Sequence, residues 1–178
     1  MILFVHSDAS YLSVTKARSR ASAVFFLSDP KPDAITFSEY TPILNGFIFV
    51  VCKSLRNIMA SSAEAEYGAL CLNAPADVPI RTTLIKMHHP QPPTPIQVDN
   101  STTGGISNKS IKQKRSKDMD MRFHWIQDII LQEHFNIFWK PGPTNLGDYR
   151  YKHHPTPHHI QVKHTKLHEP HGHLSRVC

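Results

Sequence analysis

The sequence predicts an α/β protein: a mixed, five-stranded sheet with helices packed against it. Three observations lead there. Apolar runs of strand length recur at "ILFVHSDASY" (2–11), "ASAVFFLS" (21–28) and "GFIFVVCK" (46–53), separated by polar and proline-bearing segments. Helical stretches then alternate with the shorter strands "IQVD" (96–99) and "HFNIFWK" (134–140). The resulting order is βββαβααβα.

Each element has its own signal. The first run is a buried strand ending at Asp8. The "DPKPD" turn (29–33) separates the second and third strands. A helix is expected over about 62–74, and "PQPPTP" (90–95) is an extended connector. "IQVD" alternates and again ends at an aspartate, Asp99, with a short helix after it. Met119, Phe123, Ile126 and Ile130, spaced four, three and four apart, predict a helix near 118–133. Phe135, Ile137 and Trp139 alternate as one face of the last strand. "PGPTN" (141–145) turns the chain into a final short segment around Asp148.

Composition bounds the function. The 178 residues suffice for one domain with a core. The formal charge of +6 favours an anionic partner, nucleic acid first. Cys52, Cys71 and Cys178 form no CxxC pair, so neither a disulfide framework nor a cysteine zinc site is expected; two core thiols and one tail thiol are. "ILFV" is too short for a signal peptide, and no apolar run approaches the ~20 residues of a membrane span. We expect a soluble intracellular protein with no membrane partner, in cytoplasm or nucleus. The last 28 residues hold eight of the 13 histidines and little apolar periodicity. We place a domain over 1–150 and a poorly ordered, basic His/Pro-rich tail over 151–178. Pairs of histidines separated by prolines lack the helical spacing of a zinc site.

"SSAEAEYGAL" (61–70) sets two glutamates two positions apart, on nearly opposite sides of a helix. Ser61 and Glu64 make a capping box: the hydroxyl accepts from the Glu64 N–H, and the carboxylate reaches back to the Ser61 N–H, adding about 1 kcal/mol. Glu64 is therefore structural, and Glu66 is left for chemistry or for solvent. Asp8 and Asp99 each close a strand, where α/β sheets place ligands. A helix carboxylate crossing those strands would join them. Clustered carboxylates stay ionised only beside cations. Mg²⁺ takes carboxylate oxygens and keeps waters for chemistry. Two such ions about 4 Å apart make a phosphodiester-hydrolysis site.

The strings "SDAS" (7–10), "SSAEAEY" (61–67), "VDN" (98–100), "KQKRSKDMDMRFHWI" (112–126) and "KPGPTNLGD" (140–148) occur in that order. Over roughly residues 2–153 they resemble the ribonuclease H domain of copia-type retrotransposon polyproteins. The resemblance implies a ribonuclease H-like fold and cleavage of the RNA strand of RNA–DNA hybrids. It implies four metal-binding carboxylates at Asp8, Glu66, Asp99 and Asp148, with two Mg²⁺ ions, or Mn²⁺ in their place. Read by itself, Asp148 is also an acid in a helix first turn, favourable to the macrodipole.

"KSIKQKRSK" (109–117) has five cations and no acid. Lys112, Lys114, Arg115, Lys117 and Arg122 are positioned to bind hybrid phosphates, or to form a solvated loop. Asn100 and Ser101, after Asp99, could bond a phosphate or the 2′-OH. His124 is an auxiliary proton carrier or a packed helix histidine. The reverse transcriptase of the same element is the implied protein partner.

The chain departs from that family in places. Gly104 stands where an apolar residue is expected and weakens the helix behind Asp99 by about 1 kcal/mol. Gly147 replaces alanine and is expected to loosen Asp148. "YRYKHHP" (149–155) replaces the more apolar "YFTK" and should dock poorly. Gln127 stands where arginine is common. No reverse transcriptase, integrase or protease segment precedes the first strand, so the chain reads as an isolated piece of an element. The alternative to a hydrolase is thus a decayed nucleic-acid-binding relic. An integrase-like or resolvase-like nuclease fits the carboxylate spacing less well.

Overall fold

The computed structural model describes residues 1–33, 35–44, 46–107 and 117–166. Strands β1 (Ile2–Val14), β2 (Arg18–Ser28) and β3 (Phe47–Ser54) form an antiparallel meander. Helix α1 (Ser62–Lys86) leads to β4 (Thr94–Val98), parallel to β1. Helices α2 (Ser101–Ser107) and α3 (Lys117–Leu131) lead to β5 (Phe135–Trp139), parallel to β4. The mixed five-stranded sheet has the order β3-β2-β1-β4-β5. Two 3-10 helices, Gly142–Thr144 and Leu146–Arg150, follow, then α4 (Thr156–Gln161) and α5 (Lys163–Lys166). The final segment around Asp148 is therefore 3-10 rather than α.

Central β1 is apolar throughout its first half because both of its faces are covered. Leu3 and Val5 pack with Tyr67 and Leu70 of α1 and Ile126 of α3. Phe4 packs with Phe26 and Phe138 on the opposite face, under Phe37, Tyr40 and Leu44 from the connection before β3. That connection is thus a cover for the second core.

Several elements differ from expectation. Strand β1 does not end at Asp8. It continues to Val14, with Asp8 paired to Ser22 and Ser10 to Arg20. Helix α1 runs past residue 74 through Pro75 and Pro79. Each interior proline costs about 3 kcal/mol in a lost hydrogen bond and a clash. The continuation keeps Leu84 in the core, and that tertiary gain overrides the cost of the prolines. Trp139 does not share the buried face of Phe135 and Ile137: it is 46% exposed, while Phe138 is buried. Cys52 is exposed on β3 instead of lying in the core.

Residues 151–166, expected as the start of a poorly ordered tail, form a turn and the two short helices. The Tyr149 ring stacks on His154 and His158 at 5.1 and 5.8 Å. Val162 is buried, and the Gly46 N–H donates to the Thr165 carbonyl at 3.1 Å. Ring stacking of this kind needs no apolar periodicity, so the pattern of the sequence carried no sign of it. No described helix is long and apolar enough to cross a membrane.

Candidate active site

The parallel pairing of β1 and β4 sets Val5 opposite Ile96 and His6 opposite Gln97. The same register carried forward brings Asp8 level with Asp99, the first residue beyond β4. Both lie at the carboxyl end of the parallel pair, where such sheets hold ligands. The start of α1 crosses this end. Ser61 caps the helix by accepting from the Glu64 N–H at 3.1 Å. Glu64 accepts from the Ala60 N–H, one residue earlier than a capping box requires. Two positions on, Glu66 turns inward, and its Oε1 accepts from the Ala9 N–H at 3.1 Å. One carboxylate oxygen from each of Asp8, Glu66 and Asp99 then lies within 4.8 Å of the others.

Three acids this close perturb one another. Glu66 is 5% exposed. Burial, then repulsion from Asp8 and Asp99, pushes its carboxyl up to about 10. Burial and Asp99 push Asp8 up to about 6, against a hydrogen bond from Tyr151 and the charge of Lys152. Asp99 is raised by burial, with Lys152 opposing. The second oxygen of Glu66 is buried with no hydrogen-bond partner. A buried carboxylate oxygen without a donor is costly unless a cation meets it. An all-oxygen, all-carboxylate donor set suits a hard divalent cation such as Mg²⁺ or Mn²⁺.

Asp148 is not within this cluster. It sits on the 3-10 helix Leu146–Arg150, where the Lys152 ammonium binds its Oδ2 at 3.0 Å. Asn145 anchors the segment to β1: its Nδ2 donates to the Ser7 carbonyl and its Oδ1 accepts from the Gly147 N–H, both at 2.9 Å. The Leu146 N–H donates to His6 Nδ1 at 3.0 Å. Burial, then Lys140, drives His6 down to about 3, so its ring stays a neutral acceptor. Gly147 lies so close to Asp8 that a Cβ there would sit 2.8 Å from the Asp8 Cβ. Glycine therefore permits the close approach of this segment, the reverse of the loosening expected. "YRYKHHP" docks too, since the Tyr151 hydroxyl donates to Asp8 Oδ2.

The expected nucleic-acid contacts fare unevenly. Lys112, Lys114 and Arg115 lie outside the described residues. Lys117 opens α3 and Arg122 lies within it. His124 is exposed on α3, and Gln127 is buried there. The Asn100 side-chain oxygen accepts from the Thr102 and Thr103 N–H groups at 2.9 and 3.3 Å, so Asn100 caps α2. Exposed Ser101 opens that helix. Five residues that shape the site escaped the sequence reading: His6, Trp139, Asn145, Tyr151 and Lys152. Trp139 donates its Nε1–H to the Asp99 carbonyl at 3.0 Å. An asparagine just before "LGD" is an N-cap signal that could have revealed Asn145.

No protein-family model and no curated protein matches the chain. Solved structures do. The N-terminal RNase H domain of Rv2228c from Mycobacterium tuberculosis is 14% identical with a TM-score of 0.52, over 83% of this chain and 88% of that one. RNase H1 from the halophilic archaeon Halobacterium salinarum NRC-1 is 12% identical with a TM-score of 0.52, over 83% and 91%. LC11-RNase H1 in complex with RNA/DNA hybrid is 11% identical with a TM-score of 0.52, over 80% and 88%. At such identities the likeness is one of architecture, and the chain has the ribonuclease H-like fold.

Proposed function

We propose that this protein is a metal-dependent endonuclease cleaving the RNA strand of RNA–DNA hybrids, of the kind found in copia-type retrotransposons. The observation carrying this reading is the Asp8–Glu66–Asp99 cluster, with its buried, partnerless Glu66 oxygen, at the carboxyl end of the parallel β1–β4 pairing. A fold neighbour, LC11-RNase H1, is known in complex with RNA/DNA hybrid.

In this reading Asp8, Glu66 and Asp99 would hold a divalent cation, and Asp148 would be the added ligand for a second. Bound there, Mg²⁺ or Mn²⁺ supplies Lewis acidity and lowers the pKa of the attacking water. The protein's own contribution is placement. Ala9 fixes one oxygen of Glu66, Trp139 fixes the Asp99 backbone, and Asn145 holds the Asp148 segment against β1. The basic segment 109–117, with Arg122, holds hybrid phosphates, giving position and salt-dependent affinity without sequence choice. Ser101 lies two residues after Asp99 in the chain and would meet the backbone near the scissile bond. The functional unit extends beyond residue 150, because Tyr151 and Lys152 reach the carboxylates. The reverse transcriptase of the same element is the natural donor of hybrid substrate.

The test is cleavage of a labelled RNA–DNA hybrid with Mg²⁺, against EDTA and the Asp99→Asn variant. RNA-strand cleavage lost in both controls is the expected outcome. Hybrid binding by a folded protein without metal-dependent cleavage would replace this reading with that of a binding relic. The Tyr151 and Lys152 side chains at the cluster are the observation favouring that second reading.

A further inference from the structure

Residues 151 and 152 do something at the carboxylate cluster that the proposed reaction does not require. The chain leaves the 3-10 helix Leu146–Arg150 directly over Asp8. The Tyr151 hydroxyl donates to Asp8 Oδ2, from a position 143 residues away in the chain. One residue on, the Lys152 ammonium lies 3.0 Å from Asp148 Oδ2. Its positive charge also acts on Asp8 and Asp99. The segment cannot drift from this position freely. Asn145 ties it to Ser7, Leu146 to His6, and Gly147 lies against Asp8.

We infer that Tyr151 and Lys152 are an internal stand-in for the divalent cation at Asp8 and Asp148: they occupy oxygens of those two carboxylates and compete with the cation for them. The inference rests on the reading of Asp8, Glu66 and Asp99 as a cation site. Tyr151 offers a donor where a metal ion would offer a positive charge. Lys152 offers the charge itself, and it holds back Asp148, the carboxylate missing from the cluster. A cation arriving at the three clustered oxygens meets the repulsion of Lys152 and an Asp8 oxygen already in use. Binding therefore requires the pair to withdraw, and metal affinity is set below what the three acids alone would provide. Lys152 is half exposed, with 50% of its side chain in solvent, so it can swing away at little cost. Tyr151 and Lys152 are positioning residues in this account, acting on metal occupancy through Asp8 and Asp148.

The test is Mg²⁺ and Mn²⁺ binding by isothermal titration calorimetry, with no substrate present. Tyr151→Phe keeps the ring and loses only the donor. Lys152→Met keeps the aliphatic stem and loses the charge, and Lys152→Arg keeps the charge. Tyr151→Phe and Lys152→Met should each bind the cation about tenfold more tightly, the factor carried by one hydrogen bond to a charged group. Lys152→Arg should bind as the wild type does. A purely supportive role predicts the opposite sign, because loosening Asp8 would weaken metal binding. Unchanged or weaker binding in either Tyr151→Phe or Lys152→Met, in a folded protein, overturns the inference while leaving the cation site standing. Binding by no variant, with Asp99→Asn indistinguishable from the rest, would remove the cation site itself and this inference with it.

Discussion

Two glycines flank the carboxylates, and the structure assigns them opposite consequences on replacement by alanine. At Gly147 a Cβ would lie 2.8 Å from the Asp8 Cβ, 3.0 Å from Asn145 Oδ1 and 3.2 Å from the Asp8 nitrogen. These neighbours belong to a central strand and an anchoring side chain, so they cannot rotate away. The 3-10 segment would have to retreat by several tenths of an ångström, stretching the Asn145 bonds to Ser7 and Gly147. Overpacking of this sort costs about 1–3 kcal/mol. The stiffer unfolded chain returns about 0.4–1 kcal/mol. The net is a loss on the order of 1–2 kcal/mol, or about 2–8 °C in melting temperature for a chain this size. At Gly104 the nearest atoms are Trp139 Cβ at 3.5 Å and Val98 Cγ2 at 3.7 Å, ordinary contacts. Alanine there should stabilise α2 by about 0.5–1 kcal/mol. Thermal and urea melts followed by circular dichroism in EDTA measure both variants. A Gly147→Ala protein as stable as the wild type would refute the close-approach argument, whatever Gly104→Ala does.

The acids of the cluster also make stability depend on pH. Glu66 moves from 4.5 unfolded to about 10 folded, and Asp8 from 3.8 to about 6, so the folded state binds more protons. Without a divalent cation, stability should fall as pH rises, through about 6 for Asp8 and on toward about 10 for Glu66. Buried Asp77, pushed up to about 7 mainly by burial, adds to the decline. Melts in EDTA that stay flat between pH 5 and 9 would contradict this. Glu66→Gln removes the need to take up a proton on folding and keeps an oxygen for the Ala9 N–H. It should raise stability in EDTA at pH 8 by on the order of 1 kcal/mol, the scale for relieving an unsatisfied buried group. The same change should abolish the Mg²⁺-dependent rise in melting temperature; a rise equal to that of the wild type would exclude Glu66 from the cation site.

What was legible in the sequence was what local chemistry decides. The Ser61 cap separates Glu64 from Glu66 because helix geometry allows only one of them to face the sheet. The succession of strands and helices along the chain follows from apolar runs and turn residues, while the order of the strands within the sheet does not. The failures share one cause, a local signal overruled by contacts distant in sequence. The helix expected to end near residue 74 meets Pro75 and Pro79, yet α1 continues because Leu84 has a core to fill. Trp139 reads as an inward strand residue, yet it points outward and bonds the Asp99 carbonyl. Gly147 reads as slack, yet its missing side chain lets the segment reach Asp8.

The C-terminal segment is the clearest case of this divide. Its motif "NLGD" is visible in the sequence, but its meaning depends on partners 138–143 residues away, at Ser7, His6 and Asp8. No periodicity encodes such contacts, because they run between a 3-10 helix and the middle of β1. They nevertheless determine what kind of site the three acids make. With Asn145 and Gly147 pressing the segment onto β1, the carboxylates receive a phenol and an ammonium from the same chain. Like charges brought together by a sheet must be neutralised by something. In this protein Asp8 accepts from Tyr151 and Asp148 pairs with Lys152, so by the inference drawn above a metal ion that binds here would have to displace both.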